Sequence, residues 1–167
     1  QPEITAALDA FGYDASTLQE GQTLFDTARS LHGAQIKEYG EQHAATQAFK
    51  DACDQADKAY AAHRRLAKIA FKGDAQRQTD LHLSDRKPQV FNPWHEQARH
   101  FYTALLTDTA AQTQLARYKI NLEALQAAQA QVEQTMALKN AQERERGEAQ
   151  EATQQRNAAI EALAEWL

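Results

Sequence analysis

The sequence is poor in cysteine and in the residues that interrupt helices. Its 167 residues include three prolines, six glycines and one cysteine. The single Cys53 excludes an intramolecular disulfide and any metal site built from several cysteines. One lone thiol slightly favours a reducing compartment such as the cytoplasm, but the localisation stays unknown.

Long hydrophobic runs and an excess of positive charge are also missing. No stretch approaches the roughly eighteen consecutive apolar residues of a bilayer-crossing helix, so no membrane span is predicted. The net charge is −5, which argues against nucleic acid as a partner, because nucleic-acid binders present a basic face to phosphates. No secretory signal is recognisable, although a removed leader before Gln1 stays open.

Motifs for catalysis and for metals are absent as well. The chain has neither a Gly-x-Ser-x-Gly elbow nor a glycine-rich phosphate loop, and nothing visibly activates Cys53. The Glu-x-x-His pairs of di-iron bundles do not occur. His95, Glu96 and His100 miss the His-Glu-x-x-His zinc spacing by one residue. We therefore predict no enzyme activity, no catalytic residue, no metal site and no cofactor.

What the sequence does contain is an internal repeat. When it is shifted by 107 positions, 13 of the 50 residues from Phe11 to Tyr60 are identical to their counterparts in 118–167. Eight identities fall where Ala34–Gln47, AQIKEYGEQHAATQ, aligns with Ala141–Gln154, AQERERGEAQEATQ. A repeat of this kind indicates a duplicated architecture.

Each copy contains a long stretch without proline, which predicts a long helix. The first begins after Asp14, a favourable N-cap, and runs from Ala15 to Phe71; the second begins at Asn121 and runs to the end of the chain. In the first copy, alternating steps of four and three residues trace a buried seam with a 3.5-residue period: Leu18, Gly21, Phe25, Ala28, His32, Gln35, Tyr39, Gln42, Thr46, Phe49, Cys53, Ala56, Tyr60, His63, Ala67 and Ala70.

The predicted fold class is therefore all-α. We expect an elongated bundle of two long antiparallel helices related by the duplication, with two or three short flanking helices. Residues 1–167 form a single helical domain, with repeat one over about 4–72, a connector over 73–107 and repeat two over about 108–167. Repeat two lacks the counterpart of 61–72, so either the chain is truncated there or its second long helix is genuinely shorter.

Short helices are predicted around these two. One lies near Ile4–Leu8 and ends before Gly12, where positive φ is expected. The connector is irregular up to Asn92-Pro93, which would start a helix over Trp94–Thr107. Asp108 then caps a further helix through Arg117. An aromatic cluster is expected to hold the connector helix on the long helices: Phe91, Trp94, Phe101 and Tyr102.

Gly40 and Gly147 are equivalent in the repeat and lie in the middle of their helices. Glycine there costs about 1 kcal/mol relative to alanine, so its presence in both copies suggests a use. We predict that the long helices cross near this pair, with their backbones in close approach. The alternative is a tolerated glycine that faces solvent.

The seam is polar near these glycines. Lys139, Gln142, Arg146 and Thr153 match the polar stretch from His32 to Thr46. Buried polar groups need hydrogen bonds or water. They form either a binding groove, with Tyr39, Gln42, Gln142 and Arg146 as candidate ligand-binding residues, or a polar layer that sets the register of the helices.

Acidic residues flank both glycines in equivalent pairs: Glu38, Glu41, Glu145 and Glu148. They could gather to bind a cation or a basic partner. Lys37 and Arg144 adjoin them, however, and favour ordinary ion pairs on a solvated helix face.

Four phrases of the sequence resemble one group of bacterial proteins: FGYDASTLQEGQTLFDTA, EYGEQHAATQAF, WHEQARHFYTALLTD and AQERERGEAQEATQQRNAA. The chain is similar over most of its length to these uncharacterised all-helical proteins, which share the duplicated plan. The resemblance implies no activity and transfers no functional residue. It also implies that the second long helix continues past residue 167.

The functional prediction is a non-enzymatic helical scaffold or protein-interaction module, with an unknown protein partner or self-association through the long face. The alternative is a bundle that binds a small ligand or a metal at the polar centre. A third possibility, a helix lying on a membrane surface, is disfavoured by the acidic charge and the alanine-rich stripe.

Overall fold

The computed structural model describes residues 11–167, and the helix predicted near Ile4–Leu8 lies outside them. All regular structure in the described residues is helical, so the all-α prediction is confirmed. The helices are α1 (Ala15–Ala70), α2 (Ala75–Asp80), α3 (Phe91–Thr107), α4 (Thr109–Ala116) and α5 (Leu122–Trp166).

The predicted helix starts are made by side-chain caps. A carboxylate oxygen of Asp14 accepts a hydrogen bond from the Thr17 amide at 2.8 Å, and the Asn121 side chain accepts one from the Ala124 amide at 2.8 Å. Asp108 caps α4 in the same way. Each cap satisfies an amide that has no partner inside its helix. Gly12 has the expected positive φ, 88°.

The connector differs from its prediction in two places. The segment predicted to be irregular contains the six-residue helix α2, whose N-cap Asp74 accepts a hydrogen bond from the Arg77 amide. Asn92 is not a cap, because α3 already begins at Phe91 and its N-cap, Val90, offers no side-chain hydrogen bond. Pro93 lies within the first turn of α3, where its missing amide hydrogen is not needed.

The chain forms two compact units. The first unit comprises Gln1–Ala45 and Gln142–Leu167, and the second unit comprises Thr46–Ala141. This division cuts both long helices and does not follow the predicted repeat boundaries.

The second unit contains the large hydrophobic core. Tyr60 of α1 is fully buried, and its ring lies 5.4 Å from Phe101 and 6.2 Å from Tyr102, centroid to centroid. Phe49 meets Phe91 edge-on at 5.1 Å. The aromatic residues of the connector therefore pack α3 against α1, as predicted.

Among its described residues, the first unit buries only small or polar ones: Gly21, Ala28, Gln35, Ala149 and Ala152. At Gly21 the two long helices pack closely, because a Cβ there would overlap the Cη2 atom of the Trp166 ring. The Tyr13 ring meets Trp166 edge-on at 5.8 Å. The Tyr13 hydroxyl donates to the Leu167 carbonyl at 3.3 Å.

The predicted seam of α1 is confirmed at Leu18 and from Phe49 to Ala70, and between these two parts it is right only at every second position. The shared seven-residue series is buried or half-buried: Gly21, Ala28, Gln35, Gln42, Phe49 and Ala56. Between these positions, the residue three places after each of them is half-buried: Leu24, Leu31, Glu38, Ala45 and Ala52. The prediction had instead placed the residue four places later on the seam, and these residues are exposed: Phe25, His32, Tyr39 and Thr46. Both step orders give a mean of 3.5 residues, so the period alone does not choose between them.

The predicted close approach of backbones at Gly40 and Gly147 is wrong. Both glycines are exposed, and a Cβ built on either would meet nothing within 4 Å. The solvent-facing alternative describes them. Close approach occurs instead at Gly21, which the repeat aligns with Ala128.

Candidate binding site in the first unit

Three of the four predicted ligand-binding residues line one cavity in the first unit. Tyr39 and Gln42 of α1 and Arg146 of α5 border an open cavity of about 230 Å³. Its remaining lining residues are Ala149, Gln150 and Thr153. The fourth predicted residue, Gln142, is half-buried and is not part of this lining.

The cavity combines a phenol, two amides, a hydroxyl and a guanidinium. These groups supply hydrogen-bond donors and acceptors together with one positive charge. Pockets for drug-sized ligands have volumes of about 300 Å³ or more and are mostly apolar. The cavity is smaller and more polar, so its chemistry suits a small anion or polar molecule.

Three of the flanking glutamates gather next to this site. Glu38 of α1 and Glu145 and Glu148 of α5 each place a carboxylate oxygen within 4.8 Å of the others. Glu38 and Glu145 are half-buried, and Glu148 is exposed. Carboxylate oxygens are the ligands that Ca²⁺ and Mg²⁺ prefer. Among the residues that the structure describes, these three form the group that could hold a cation.

The same carboxylates also make the ion pairs that the alternative interpretation predicts. The Nζ atom of Lys37 lies 3.9 Å from Glu38 and 3.2 Å from Glu41. Arg144 lies 2.7 Å from Glu145 through Nη2 and 3.8 Å from Glu148 through Nε. These neighbouring cations balance part of the negative charge.

The second unit contains a polar network that was not predicted from the sequence. The Nδ1 atom of His63 lies 3.1 Å from the Tyr102 hydroxyl, and the Tyr60 hydroxyl donates to Gln97 at 3.0 Å. Burial raises the pKa of Tyr60 to about 12 and also raises that of Tyr102. Burial lowers the pKa of His63. These groups are therefore neutral near pH 7 and act as hydrogen-bonding links between α1 and α3.

Two of the four residues in this network could be recognised from the sequence. Tyr60 and His63 both lie on the predicted seam of α1, three residues apart. Their partners Gln97 and Tyr102 lie on α3, and no sequence pattern specifies which residues of two helices will meet.

Cys53 is half-buried. Burial raises the pKa of its thiol, and the charges of Asp54 and Asp57 raise it further. A raised pKa disfavours the thiolate that reacts as a nucleophile. This agrees with the sequence analysis, which places Cys53 on the buried seam and finds nothing that activates it.

Comparisons with protein-family models, with curated proteins and with solved structures gave no match to this chain. Within residues 11–167, no helix has both the length and the apolar character needed to cross a membrane.

Proposed function

We propose that this chain is a non-enzymatic helical scaffold or protein-interaction module whose first unit docks onto another protein surface, including that of a second copy. The observation that carries the proposal is the exposure of large apolar side chains in the first unit. The exposed fraction is 48% for Phe25, 61% for Ile36, 51% for Tyr39 and 46% for Ile160.

The buried residues of the first unit explain why a partner would matter. Burial stabilises in proportion to the apolar area removed from water, at about 25 cal/mol per Å². Gly21, Ala28 and Ala149 offer little such area, whereas Phe25 and Ile36 offer much more but face outward. A surface that covered these residues would therefore add stability.

Charge describes the partner further. The first unit contains 13 acidic and 5 basic residues, a net charge of −8, and the second unit contains 10 acidic and 13 basic residues, a net charge of +3. Two first units would repel each other. The expected partner surface is basic, and the second unit of another copy meets that requirement.

The proposal includes the duplicated antiparallel plan and membership of the bacterial group that the sequence resembles. Its support is the repetition of burial. The buried and half-buried positions of α1 recur 107 residues later in α5: Ala128, Gln131, Thr135, Leu138, Gln142, Glu145, Ala149, Ala152, Arg156 and Ala159. Within the first unit, Gly21 meets Trp166 and Glu38 lies near Glu145, so low numbers in α1 pair with high numbers in α5.

Sedimentation velocity over a concentration series tests the docking proposal. We expect the wild-type protein to associate as concentration rises, and to associate less as salt screens the opposite charges. The variant Phe25→Gln/Ile36→Gln should stay monomeric at concentrations where the wild type associates.

The second unit offers a matched control. Ile69 and Val90 are also apolar and are 54% and 68% exposed. Ile69→Gln/Val90→Gln should associate like the wild type. A wild type that remains monomeric throughout would refute self-association and leave only a different protein partner, and equal loss in both variants would refute the assignment to the first unit.

The alternative function, a bundle that binds a small ligand or metal, is favoured by the geometry around Tyr39 and Glu38. Native mass spectrometry and elemental analysis of the purified protein separate the two proposals. A stoichiometric ion or small molecule that disappears in Glu38→Gln/Glu145→Gln would support the alternative, and bare protein mass in both would oppose it.

A further inference from the structure

A cavity in the second unit is lined almost entirely by cationic side chains. Three of these residues, Arg64, Arg65 and Lys68, lie with Ala61 on one face of α1, and Lys87 comes from the segment between α2 and α3. Residues spaced by three, four and seven share a helix face. The cavity has a volume of about 290 Å³, and four positive charges converge on it.

Arg64 is the fixed member of this group. The residue is 9% exposed, and its Nη2 atom donates to the carbonyl oxygens of His82 at 2.8 Å and Leu83 at 3.2 Å, and also to that of Asp85. These acceptors carry no formal charge. The Nε atom is buried without a hydrogen bond, and no carboxylate of residues 11–167 forms an ion pair with Arg64.

A buried guanidinium without an opposite charge is unfavourable, because burial removes the water that stabilises the ion. The loop carbonyls offset part of this cost. An anion in the cavity beside Arg64 would offset much of the remainder.

The other cations differ in how they are held. Both carboxylate oxygens of Asp57 accept hydrogen bonds from the Lys87 ammonium, at 2.6 and 2.7 Å, so Lys87 is oriented and largely neutralised. Arg65 and Lys68 are exposed and form no ion pair or side-chain hydrogen bond within residues 11–167. They can therefore turn toward a ligand without breaking an existing contact.

We propose that this cavity binds a phosphate group or another multivalent oxyanion. Arg64 supplies a pre-positioned positive charge, and Arg65 and Lys68 close on the ligand from the exposed side. A guanidinium donates parallel hydrogen bonds that match the oxygens of phosphate, and an ammonium adds a point charge. The volume accommodates one phosphate with a small organic group attached.

The position near the end of α1 gives the cations a second role. Positive side chains close to a helix C-terminus interact favourably with its free carbonyls, and that interaction would place Lys68 there without any ligand. An experiment must therefore measure binding directly.

Isothermal titration calorimetry with inorganic phosphate and with pyrophosphate, at constant ionic strength, tests the site. We expect one saturable site with a Kd of about 1 mM or lower, and thermal stabilisation by the same anions. Arg65→Gln/Lys68→Gln should weaken binding by about tenfold or more, since each lost charge-assisted hydrogen bond contributes substantially. Arg64 is left unchanged because it holds the loop at 82–85.

The control is Arg29→Gln/Lys50→Gln, which removes two exposed cations from α1 outside this cavity. It should bind phosphate within about twofold of the wild type. The absence of saturable binding at about 10 mM anion would overturn the proposal. Equal weakening in both variants, or binding to duplex DNA or anionic vesicles but not to phosphate, would overturn it as well.

Discussion

The two units of this protein differ in the size of the side chains that they bury. In the second unit, Tyr60, Phe101 and Tyr102 fill the space between α1 and α3 and are fully buried. In the first unit α1 packs closely on Trp166 of α5 at Gly21, and large apolar residues such as Ile36 face outward. Aromatic burial therefore stabilises one part of the long helices, whereas another part leaves large apolar side chains exposed.

The largest expected effect comes from removing one large side chain from each unit. Tyr60→Ala should lower the free energy of unfolding by about 3–5 kcal/mol, because it opens a cavity in a filled core. Phe25→Ala should change the free energy of unfolding by only about 0.5 kcal/mol in the monomer, because half of its surface already faces water. Urea unfolding followed by circular dichroism measures both. Similar losses would contradict the contrast between the units.

The next test concerns the close contact in the first unit. Gly21→Ala should lower the free energy of unfolding by about 1–3 kcal/mol, because the added methyl group overlaps the Trp166 ring. The same change in a Trp166→Ala background should be neutral or stabilising. A double-mutant cycle measures the coupling, and additive effects would mean that the two residues do not meet in solution.

The exposed glycines should respond in the opposite direction. Gly40→Ala and Gly147→Ala should each raise the free energy of unfolding by about 0.5–1 kcal/mol, since alanine is the better helix former and space surrounds both sites. Thermal unfolding of these variants beside Gly21→Ala compares three helical glycines directly. A loss at Gly40 would restore the prediction that the backbone there has a close neighbour.

The smallest expected effect is a pH dependence that arises in the second unit. Burial lowers the pKa of His63 in the folded state, so between that value and the unfolded value of about 6.5 the unfolded chain binds more protons. Stability from this residue is therefore present above about pH 6.5 and is lost as the pH falls below it. The urea midpoint should drop between about pH 7.5 and 5.5, and His63→Gln should drop less. An unchanged slope in His63→Gln would show that the imidazole does not contribute.

Three of the four predicted N-caps were right, because their causes are local, whereas Asn92 was wrong. Asp14, Asp108 and Asn121 each cap an amide three residues away, and that interaction can be read from neighbouring letters. The six-residue helix α2 was missed because it is too short to show a period. Its hydrogen bonds depend partly on Arg77, which also donates to Asp108 from another part of the chain.

The candidate site was predictable only in part. The repeat drew attention to Tyr39, Gln42 and Arg146, and the structure places them around one cavity. The basic cavity at Arg64 was not found, because Lys87 and the carbonyls of 82–85 approach α1 through the folding of the connector.

The helical class, the bounds of the long helices and the seven-residue spacing of their buried face can be read from the sequence alone. These properties follow from proline content, capping residues and periodicity, which act over a few residues. The order of the three- and four-residue steps between Gly21 and Phe49, the partner of Gly21 and the outward position of Gly40 depend instead on tertiary packing. Those outcomes depend on which side chain of a distant segment occupies each space, and the energies of such contacts exist only after the segments have met.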